Sequence, residues 1–478
     1  MRRAYHVEAI RHAEADLMAQ LPQGALMQRA AAGLATAAVR ILREGGGVYG
    51  ARVALLVGVG DNGGDALYAG ARLARRGAKV AAVLADETRA HAGGLAALRE
   101  AGGRVDYAEK LEDADLIIDG MLGIGGKGGL RGRAAELAEA AQASGAPVLA
   151  VDLPSGVDAD SGQVSGVCVN ADVTVTFGAY KPGLLIDPAA ARAGVVEFVD
   201  IGLTALPEPA AVEALQAADV AQLLPRPRRD ADKYARGVVG VACGSVEYPG
   251  AGMLAVGGAL RAGVGAVRYS GPRAVGEEVL RRWPELLIEK ELPGDAGRVQ
   301  AWVCGSGFPV GDDFAAERTK QVVASGLPAV LDAGALGYLG EGELGERIVL
   351  TPHAGEAARL LGVERADVEA RRLDFVRRLA DERGATVLLK GSTTLVAEPG
   401  GGTVRANPTG TAALATAGSG DVLAGLIGGL LAAGLRPLDA ASVGAYLHGL
   451  AGRIAHGKGP IAAGDLLAAL PRAWHNLQ

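Results

Sequence analysis

The chain has 478 residues, 49% of them hydrophobic, so it is long enough for two or three domains and too apolar to be disordered throughout. Its 48 basic and 54 acidic side chains give a net charge of −6 without long runs of one sign, which argues against nucleic-acid binding. No apolar stretch reaches the roughly 18 residues of a membrane span, and the N-terminus lacks the apolar core of a signal peptide, so we expect a cytoplasmic protein without a membrane partner.

Two alanine-rich amphipathic helices are predicted first, at Val7–Gln20 and Ala25–Glu44, and their apolar faces lead us to expect a homo-oligomer. Short apolar runs then alternate with helical patterns. The runs predict buried strands at Arg52–Val57, Lys79–Leu84, Leu116–Asp119, Pro147–Val151 and Val173–Phe177. Helices are predicted between them, for example at Asp65–Arg76 and Arg131–Ser144. This alternation is typical of βαβ units and a mostly parallel sheet covered on both faces.

A proline- and arginine-rich stretch, Leu203–Lys233, indicates a domain boundary, and we expect one domain at residues 1–210 and another at 220–478. The alternation then restarts, with strands predicted at Gly237–Cys243, Val264–Tyr269, Ala301–Cys304, Ala329–Asp332 and Thr386–Lys390. From Gly420 onward the pattern is mainly helical. Because the halves show no shared repeat, we expect a fusion of two unrelated α/β domains.

Three loops rich in glycine and aspartate follow predicted strands of the first half. The first, residues 58–65, has the GxGxxG spacing of dinucleotide-binding folds, but its Asp61 and Asp65 would compete with a pyrophosphate for the helix amides. The others begin at Asp119 and Asp152. A single aspartate here is usually a cap, whereas three such loops at one sheet edge predict a ligand site. The oxygen atoms of Asn62, Asp119 and Ser155 suit a hard monovalent or divalent cation.

These loops, followed by Thr176-Phe-Gly-Ala-Tyr-Lys-Pro-Gly183, resemble the NAD(P)HX epimerase family, also called the YjeF N-terminal domain, over residues 1–205. The resemblance implies a Rossmann-like three-layer fold that interconverts the R and S epimers of hydrated NADH or NADPH, with bound potassium. The substrate-binding residues that it implies are Asp61, Asn62, Gly63, Gly64, Asp65, Gly123, Ile124, Gly125, Gly126, Lys127, Gly128, Gly129 and Asp152. Potassium would be bound by Asn62, Asp119 and Ser155. The sequence departs from the family at Asp61, where asparagine is usual, and at Ala66, which is often glycine.

Epimerisation at C6 of a hydrated nicotinamide requires reversible loss of the hydroxyl or ring opening. A positioned acid or base assists either route. We assign that role to Asp152.

The most specific motif of the second half is Gly418-Ser-Gly-Asp421, which follows a run of small residues and begins an apolar helix. Amides at a helix N-terminus bind anions, and Asp421 there can accept a proton from a hydroxyl that attacks a phosphoryl group. An ordinary helix cap is the alternative. His353 after Thr351-Pro, and Lys390 before Gly391, accompany the motif, and Lys390 could reach a nucleotide phosphate.

Together with Gly305-Ser-Gly307 and Ala445-Tyr-Leu-His448, these motifs resemble the YjeF C-terminal domain over residues 225–478. That family is the ADP- or ATP-dependent NAD(P)HX dehydratase of the ribokinase-like superfamily. It implies phosphorylation of the C6 hydroxyl and elimination of phosphate, with magnesium bridging the nucleotide phosphates. The implied contacts to the hydrated nucleotide are Ala251, Gly307, His353 and the base Asp421. The implied contacts to ADP or ATP are Lys390, Gly391, Ser392, Thr393, Thr394 and Gly420. Ser306 stands where the family has proline.

We interpret the chain as a bifunctional nicotinamide-nucleotide repair enzyme acting on NADHX and NADPHX. A stereospecific dehydratase leaves one epimer unconverted unless another activity interconverts the two epimers. A small-molecule kinase is an alternative, since an aspartate-based phosphoryl-transfer site does not name its acceptor. A third reading makes the first half a binding module without catalysis. The choice between ADP and ATP stays open.

Overall fold

The structure is a computed structural model that describes residues 1–106, 108–204, 206–288, 298–457 and 459–477. It divides into two units: the first is Arg3–Val212, and the second is Glu213–Gln478 together with Met1–Arg2. The division falls inside the proline- and arginine-rich stretch, Leu203–Lys233.

One all-parallel sheet forms the centre of the first unit. Its strands are β2 (Arg52–Val57), β3 (Lys79–Leu84), β4 (Arg104–Val105), β5 (Leu116–Gly120), β6 (Val148–Val151), β7 (Val173–Phe177) and β8 (Val195–Val199), and a short strand β1 (Arg2–Ala4) begins the chain. Their order in the sheet is β4-β3-β2-β5-β6-β7-β8. The five predicted strands are confirmed. The sequence does not predict the two edge strands, β4 and β8. Neither is a buried apolar run, because β4 has only two residues and β8 exposes Val195 and Phe198.

Helices cover both faces of this sheet. They are α1 (Val7–Met18), α2 (Ala25–Glu44), α3 (Asp61–Ala74), α4 (Ala92–Glu100) and α5 (Gly132–Ser144). Successive residues of a strand point to opposite faces. Leu55 therefore packs in one apolar cluster with α2 and α3, whereas Leu56 packs in another with α5. The first unit is the three-layer Rossmann-like fold that the sequence predicts.

The second unit has a larger, mixed sheet. Its strands are β10 (Val238–Ala242), β11 (Ala266–Tyr269), β12 (Leu287–Ile288), β13 (Ala301–Cys304), β14 (Ala329–Leu331), β15 (Ile348–Leu350), β16 (Thr386–Leu389), β17 (Thr394–Ala397) and β18 (Val404–Asn407), preceded by β9 (Val212–Ala214). The parallel part has the order β16-β15-β14-β13-β10-β11-β12, and β17 and β18 add antiparallel strands beside β16. The five predicted strands are confirmed, and the sequence misses the three-residue β15 and the β17–β18 hairpin.

One helix of the second unit, α13 (Ser419–Ala432), is almost wholly buried. The helices of this unit are α6 (Ala217–Leu223), α7 (Pro249–Arg261), α8 (Arg273–Arg282), α9 (Asp313–Ala324), α10 (Ala354–Leu361), α11 (Arg365–Ala370), α12 (Arg372–Arg383), α13, α14 (Pro437–His456) and α15 (Ala463–His475). Every residue of α13 from Val422 onward is buried. A Cβ on Gly258 of α7 would lie 2.2 Å from Val422 O, so the two helices pack with their backbones in contact. Among the described residues, none of the helices has the length and hydropathy to cross a bilayer.

Each sheet has one topological switch point. There the chain has finished adding strands on one side of the sheet and crosses over to continue on the other side. In the first unit the switch point lies between β2 and β5, and in the second between β10 and β13. Open α/β sheets bind ligands at the carboxyl ends of such strands. Glycines let the loops meet there. A Cβ on Gly58 would lie 1.8 Å from Met121 O, and one on Gly307 would lie 3.1 Å from Gly244 Cα.

Candidate active sites

The glycine-rich loop after β2 is shorter than the sequence predicts, because α3 begins at Asp61 rather than at Asp65. Gly63 packs so closely that a Cβ there would lie 2.4 Å from Gly58 O. A Cβ on Gly123 would lie 2.8 Å from Asn62 Oδ1. The first turns of α3 and the loop after β5 are therefore in direct contact, as expected of one site.

Asp152 follows β6 in a left-handed conformation, with a φ of 67° that non-glycine residues adopt at a cost of about 1 kcal/mol or more. The buried Lys181 donates a hydrogen bond to its carboxylate, and also to Thr176 Oγ1 at 3.0 Å. Phe177 N donates to Asp152 Oδ1 at 3.3 Å. Lys181 belongs to the motif after β7, but the sequence gives it no role. The sequence feature that could have identified Lys181 is its position, four residues after a buried strand.

Further carboxyl groups surround this ion pair. Burial, and then the nearby charges of Asp152, Asp61 and Glu14, raise the pKa of Asp65 well above its ordinary value. Asp65 Oδ1 is buried without a hydrogen-bond partner. Burial also raises the pKa of Glu14 on α1, a residue that the sequence does not single out. The site thus combines Asp65, whose raised pKa favours the protonated form, with the carboxyl group of Asp152, which is paired with Lys181.

Asp119 and Ser155 come together as predicted. The Ser155 hydroxyl donates to Asp119 Oδ1 at 2.6 Å, its amide donates to Oδ2 at 2.8 Å, and Met121 N donates to Oδ1 at 3.2 Å. Burial raises the pKa of Asp119 to about 6, opposed by these hydrogen bonds. Asn62 lies against Gly123, and its buried Nδ2 has no hydrogen-bond partner.

The other glycines of the implied substrate site divide between two roles. Residues 124–127 line an open cavity together with α1. Gly129 instead packs on Gly166, where an added Cβ would lie 2.7 Å from Gly166 Cα, and Gly128 has a φ of 74°. Gly64 packs on Met27, where an added Cβ would lie 2.9 Å from Met27 Cε. Gly64 and Gly129 therefore serve close packing.

The motif Gly418–Asp421 forms the beginning of α13. Gly418 caps the helix with a φ of 86°, and Asp421 lies in the first turn. His448 Nε2 lies 2.9 Å from Ser419 O, and burial lowers the pKa of His448 to about 4, so its ring is neutral. A Cβ on Gly420 would lie 3.5 Å from Lys390 Nζ. The structure thus brings Lys390 to the helix terminus that carries Asp421.

A second buried carboxylate, Asp332, connects these groups. Lys390 Nζ donates to its Oδ1 at 2.8 Å, Thr351 Oγ1 donates to Oδ1 at 2.8 Å, and Ser306 Oγ donates to Oδ2 at 2.9 Å. The sequence places Asp332 at the end of a predicted strand without a role. The sequence feature that could have identified it is the one that identifies Asp119: an aspartate at the carboxyl end of a buried parallel strand.

Asp421 has the proton affinity that a base near neutral pH requires. Burial raises its pKa to about 6, and the negative charge of Asp332 acts in the same direction. The neighbouring Ser306 hydroxyl and the charge of Lys390 oppose the shift. Asp421 is therefore ionised at neutral pH but easily protonated.

Besides this base, three residues are implied to contact the hydrated nucleotide: Ala251, Gly307 and His353. A Cβ on Gly307 would lie 2.6 Å from Ala251 Cβ, and Gly307 adjoins Ser306. His353 caps α10, because its Nδ1 accepts from Gly355 N at 3.0 Å, and the ring is half-exposed. His353 is thus a structural cap, and its other ring nitrogen, Nε2, lies 3.6 Å from Glu356 Oε1.

The loop at 390–394 is fixed from behind by Arg372, which the sequence does not single out. Arg372 is buried, and its Nη2 donates to Lys390 O at 3.1 Å and to Thr393 O at 3.1 Å. A Cβ on Gly391 would lie 2.3 Å from this nitrogen. Ser392 is exposed and Thr394 half-buried, whereas Thr393 is buried.

Comparisons with known proteins identify the families of the two halves of the chain. A family described as YjeF-related protein N-terminus matches residues 23–183, and one described as NAD(P)H-hydrate dehydratase matches residues 239–472. The bifunctional NAD(P)H-hydrate repair enzyme of Mycobacterium leprae is 48% identical over 94% of this chain and 93% of its own length. The enzyme of the same name from Moorella thermoacetica is 36% identical over 91% of this chain and 89% of its own length.

A solved structure resembles the second unit. It is the ADP/ATP-dependent NAD(P)H-hydrate dehydratase from Bacillus subtilis, co-crystallised with ATP and Mg²⁺. It is 28% identical, has a TM-score of 0.51, and matches 56% of this chain and 99% of its own. A ribokinase-like superfamily protein from Enterococcus faecalis, 23% identical with a TM-score of 0.51 over 57% of this chain and 99% of its own, shares the fold. The chain belongs to the family of bifunctional NAD(P)H-hydrate repair enzymes.

Proposed function

We propose that the first unit interconverts the R and S epimers of hydrated NADH and NADPH, and that the second unit dehydrates the S epimer with consumption of ADP or ATP. The observation that carries the proposal is the position of Asp421: a carboxylate with a pKa of about 6 in the first turn of α13, beside Lys390. This is the arrangement that phosphoryl transfer to a hydroxyl requires. The Asp152–Lys181 site in the same chain favours nucleotide repair over a plain kinase.

In the second unit, Asp421 accepts the proton of the C6 hydroxyl as the hydroxyl oxygen attacks the terminal phosphoryl group, and AMP leaves from ADP or ADP leaves from ATP. Lys390 and the amide of Gly420 stabilise the transferring negative charge. The phosphorylated C6 oxygen then leaves as phosphate, and loss of a proton from C5 restores the ring double bond. His353, Ala251 and Gly307 hold the ring beside the base.

In the first unit, Asp65 and Asp152 divide the proton transfers. Asp65, whose raised pKa favours the protonated form, donates a proton to the departing C6 oxygen, which leaves as water. The Asp152 carboxylate, held by Lys181, accepts a proton from the water that adds back to C6. Re-addition to the opposite face of the ring inverts C6. Asp152 keeps the acid–base role that the sequence suggests, and Asp65 joins it.

The residues present fit a potassium ion in the first unit. Asp119 is buried, and no basic side chain of the described residues pairs with it. Asn62, Asp119 and Ser155 would hold the ion through oxygen atoms, the ligands that hard cations prefer. When bound, it supplies positive charge beside the substrate loops.

Magnesium fits the second unit as a companion of the nucleotide. The described residues contain no group of three or more histidine, cysteine, aspartate or glutamate side chains that could hold a metal. Magnesium is commonly held by substrate phosphates with one or two carboxylates, so the nucleotide would bring it.

A mixture of both hydrated epimers tests this function. The protein is incubated with the mixture and ADP or ATP, and reduced-nicotinamide absorbance and released phosphate are followed. We expect complete recovery, with one phosphate released for each NADH. Recovery of the S fraction alone would leave only the dehydratase. A phosphorylated product without NADH would favour a kinase.

The acid limb of the dehydratase pH profile is expected to report Asp421. Activity should fall as the pH drops below about 6, because the protonated base cannot accept the hydroxyl proton. In Asp332→Asn, loss of the neighbouring negative charge lowers the pKa of Asp421, so the limb should move to lower pH. Measurement of kcat/KM against pH for wild type, Asp332→Asn and Asp332→Glu checks this. If the acid limb of the pH profile does not move in Asp332→Asn, the electrostatic coupling between Asp332 and Asp421 is contradicted.

A further inference from the structure

An open groove of about 570 Å³ lies beside the Asp152 loop in the first unit. We call it the helix–loop groove. It is lined by Val7, Glu8, Arg11 and His12 of α1, by Ile124–Lys127, and by Asp158–Asp160. Ile124 packs in the same apolar cluster as Leu153, the neighbour of Asp152, so the groove runs alongside the reacting site. The family resemblance assigns the glycine loop to substrate but gives α1 no role.

Two exposed basic side chains line this groove, and their charges act on nearby carboxyl groups: Arg11 on Glu14, and Lys127 on Asp160. Within the described part of the chain, neither Arg11 nor Lys127 forms a hydrogen bond or an ion pair, and both are exposed. Arg11 lies against the glycine loop, since a Cβ on Gly125 would stand 3.5 Å from Arg11 Nη2. The absence of a side chain at Gly125 keeps the space beside the guanidinium open.

Two of the three carboxylates in the groove are already engaged. Asp158 Oδ1 accepts from the amide of Ser161 at 2.8 Å and from its hydroxyl at 2.7 Å. Asp160 Oδ1 accepts from Val7 N at 2.7 Å and lies 3.3 Å from His6 Nδ1. These contacts fix the loop. The third carboxylate, Glu8, is exposed and precedes Arg11 by one helical turn.

The free groups match the middle of a dinucleotide. Arginine binds phosphate oxygens bidentately and lysine binds them as a point charge, whereas carboxylates accept hydrogen bonds from ribose hydroxyls. The helix α1 also connects the groove to the acid–base cluster. Glu14, about 4.5 Å further along the helix axis than Arg11, interacts with the charges of Lys181 and Asp152.

We propose that the helix–loop groove binds the pyrophosphate of the hydrated dinucleotide during epimerisation, with Arg11 and Lys127 on the phosphates and Glu8 on an adjoining ribose. This inference rests on the epimerase function proposed above. It makes α1 a wall of the substrate site. The ring then reaches Asp152 and Asp65 while the pyrophosphate is held one to two helical turns away.

The experiment measures epimerisation of R-NADHX by Arg11→Gln and by wild type at several salt concentrations. Loss of a charge-assisted contact should raise KM by about 10-fold or more while kcat changes much less. The KM of Arg11→Gln should also depend less on salt than that of wild type. Arg76→Gln with Lys79→Gln, a pair of exposed basic residues at the far end of α3 and the start of β3, is the matched control and should leave KM unchanged.

A KM of Arg11→Gln within twofold of wild type overturns the groove assignment, as does a fall in kcat at unchanged KM. The same KM rise in the control pair also overturns it, because the effect would then be one of overall charge. A wild-type protein that does not epimerise R-NADHX overturns the proposed function itself, and the groove with it.

Discussion

Replacement of Asp421 by asparagine is expected to reduce kcat for dehydration of S-NADHX by about 10²- to 10⁴-fold, the range that loss of a general base produces. Asparagine keeps the shape of the side chain but cannot accept the C6 hydroxyl proton. Epimerisation should be unaffected, because Asp152 and Asp65 belong to the other unit. Measurement of both activities on the same preparation checks this.

Asp465 provides a matched control. It is also the third residue of its helix, α15, and its carboxylate accepts from Ala462 N at 2.8 Å as a helix cap. Asp465→Asn should change neither activity. Equal losses in the Asp421 and Asp465 variants would mean that the aspartate of α13 acts only as a cap.

Replacement of Asp152 by asparagine is expected to slow epimerisation of R-NADHX by about 10²- to 10⁴-fold and to leave dehydration of pure S-NADHX unchanged. The substitution removes the proton acceptor and leaves the Lys181 ammonium buried without its counter-charge, which also costs stability. Thermal unfolding of the variant should therefore be measured beside its activity.

Asp172 provides a matched control for Asp152. It is exposed and lies just before β7, at the end of the sheet opposite to Asp152. Its carboxylate accepts from Val148 N at 2.8 Å, so Asp172→Asn tests loss of a carboxylate remote from the carboxyl ends of the strands. This control should epimerise normally. Full epimerisation by a folded Asp152→Asn variant would contradict the assignment and shift attention to Asp65 and Glu14.

The sequence predicts the strands well because parallel strands buried on both faces are continuous apolar runs. It places the start of α3 four residues too late. The run Asn62-Gly63-Gly64 has low helix propensity, but close packing of Gly63 against Gly58 outweighs that preference.

Sequence patterns also identify residues at the end of a strand, such as Asp152, or at the start of a helix, such as Asp421, but not their partners. Lys390 meets Asp332 across 58 residues, and Arg372 meets Thr393 across 21. Lys181 differs in that it lies in a recognised motif, yet nothing local reveals that it is buried against Asp152. Such pairs form because a buried charge requires a partner of opposite charge or a hydrogen-bonding group. Which group becomes that partner depends on the residues that the fold brings together at the edge of the sheet.

The conversion of purified R-NADHX to NADH by the wild-type chain with ATP or ADP tests the central claim most directly, because it requires both units in sequence. We predict complete recovery of reduced-nicotinamide absorbance, faster than in the Asp152→Asn variant, with one phosphate released per NADH. Recovery from R-NADHX no faster than in Asp152→Asn, while S-NADHX is dehydrated normally, would contradict a catalytic first unit and with it the bifunctional account.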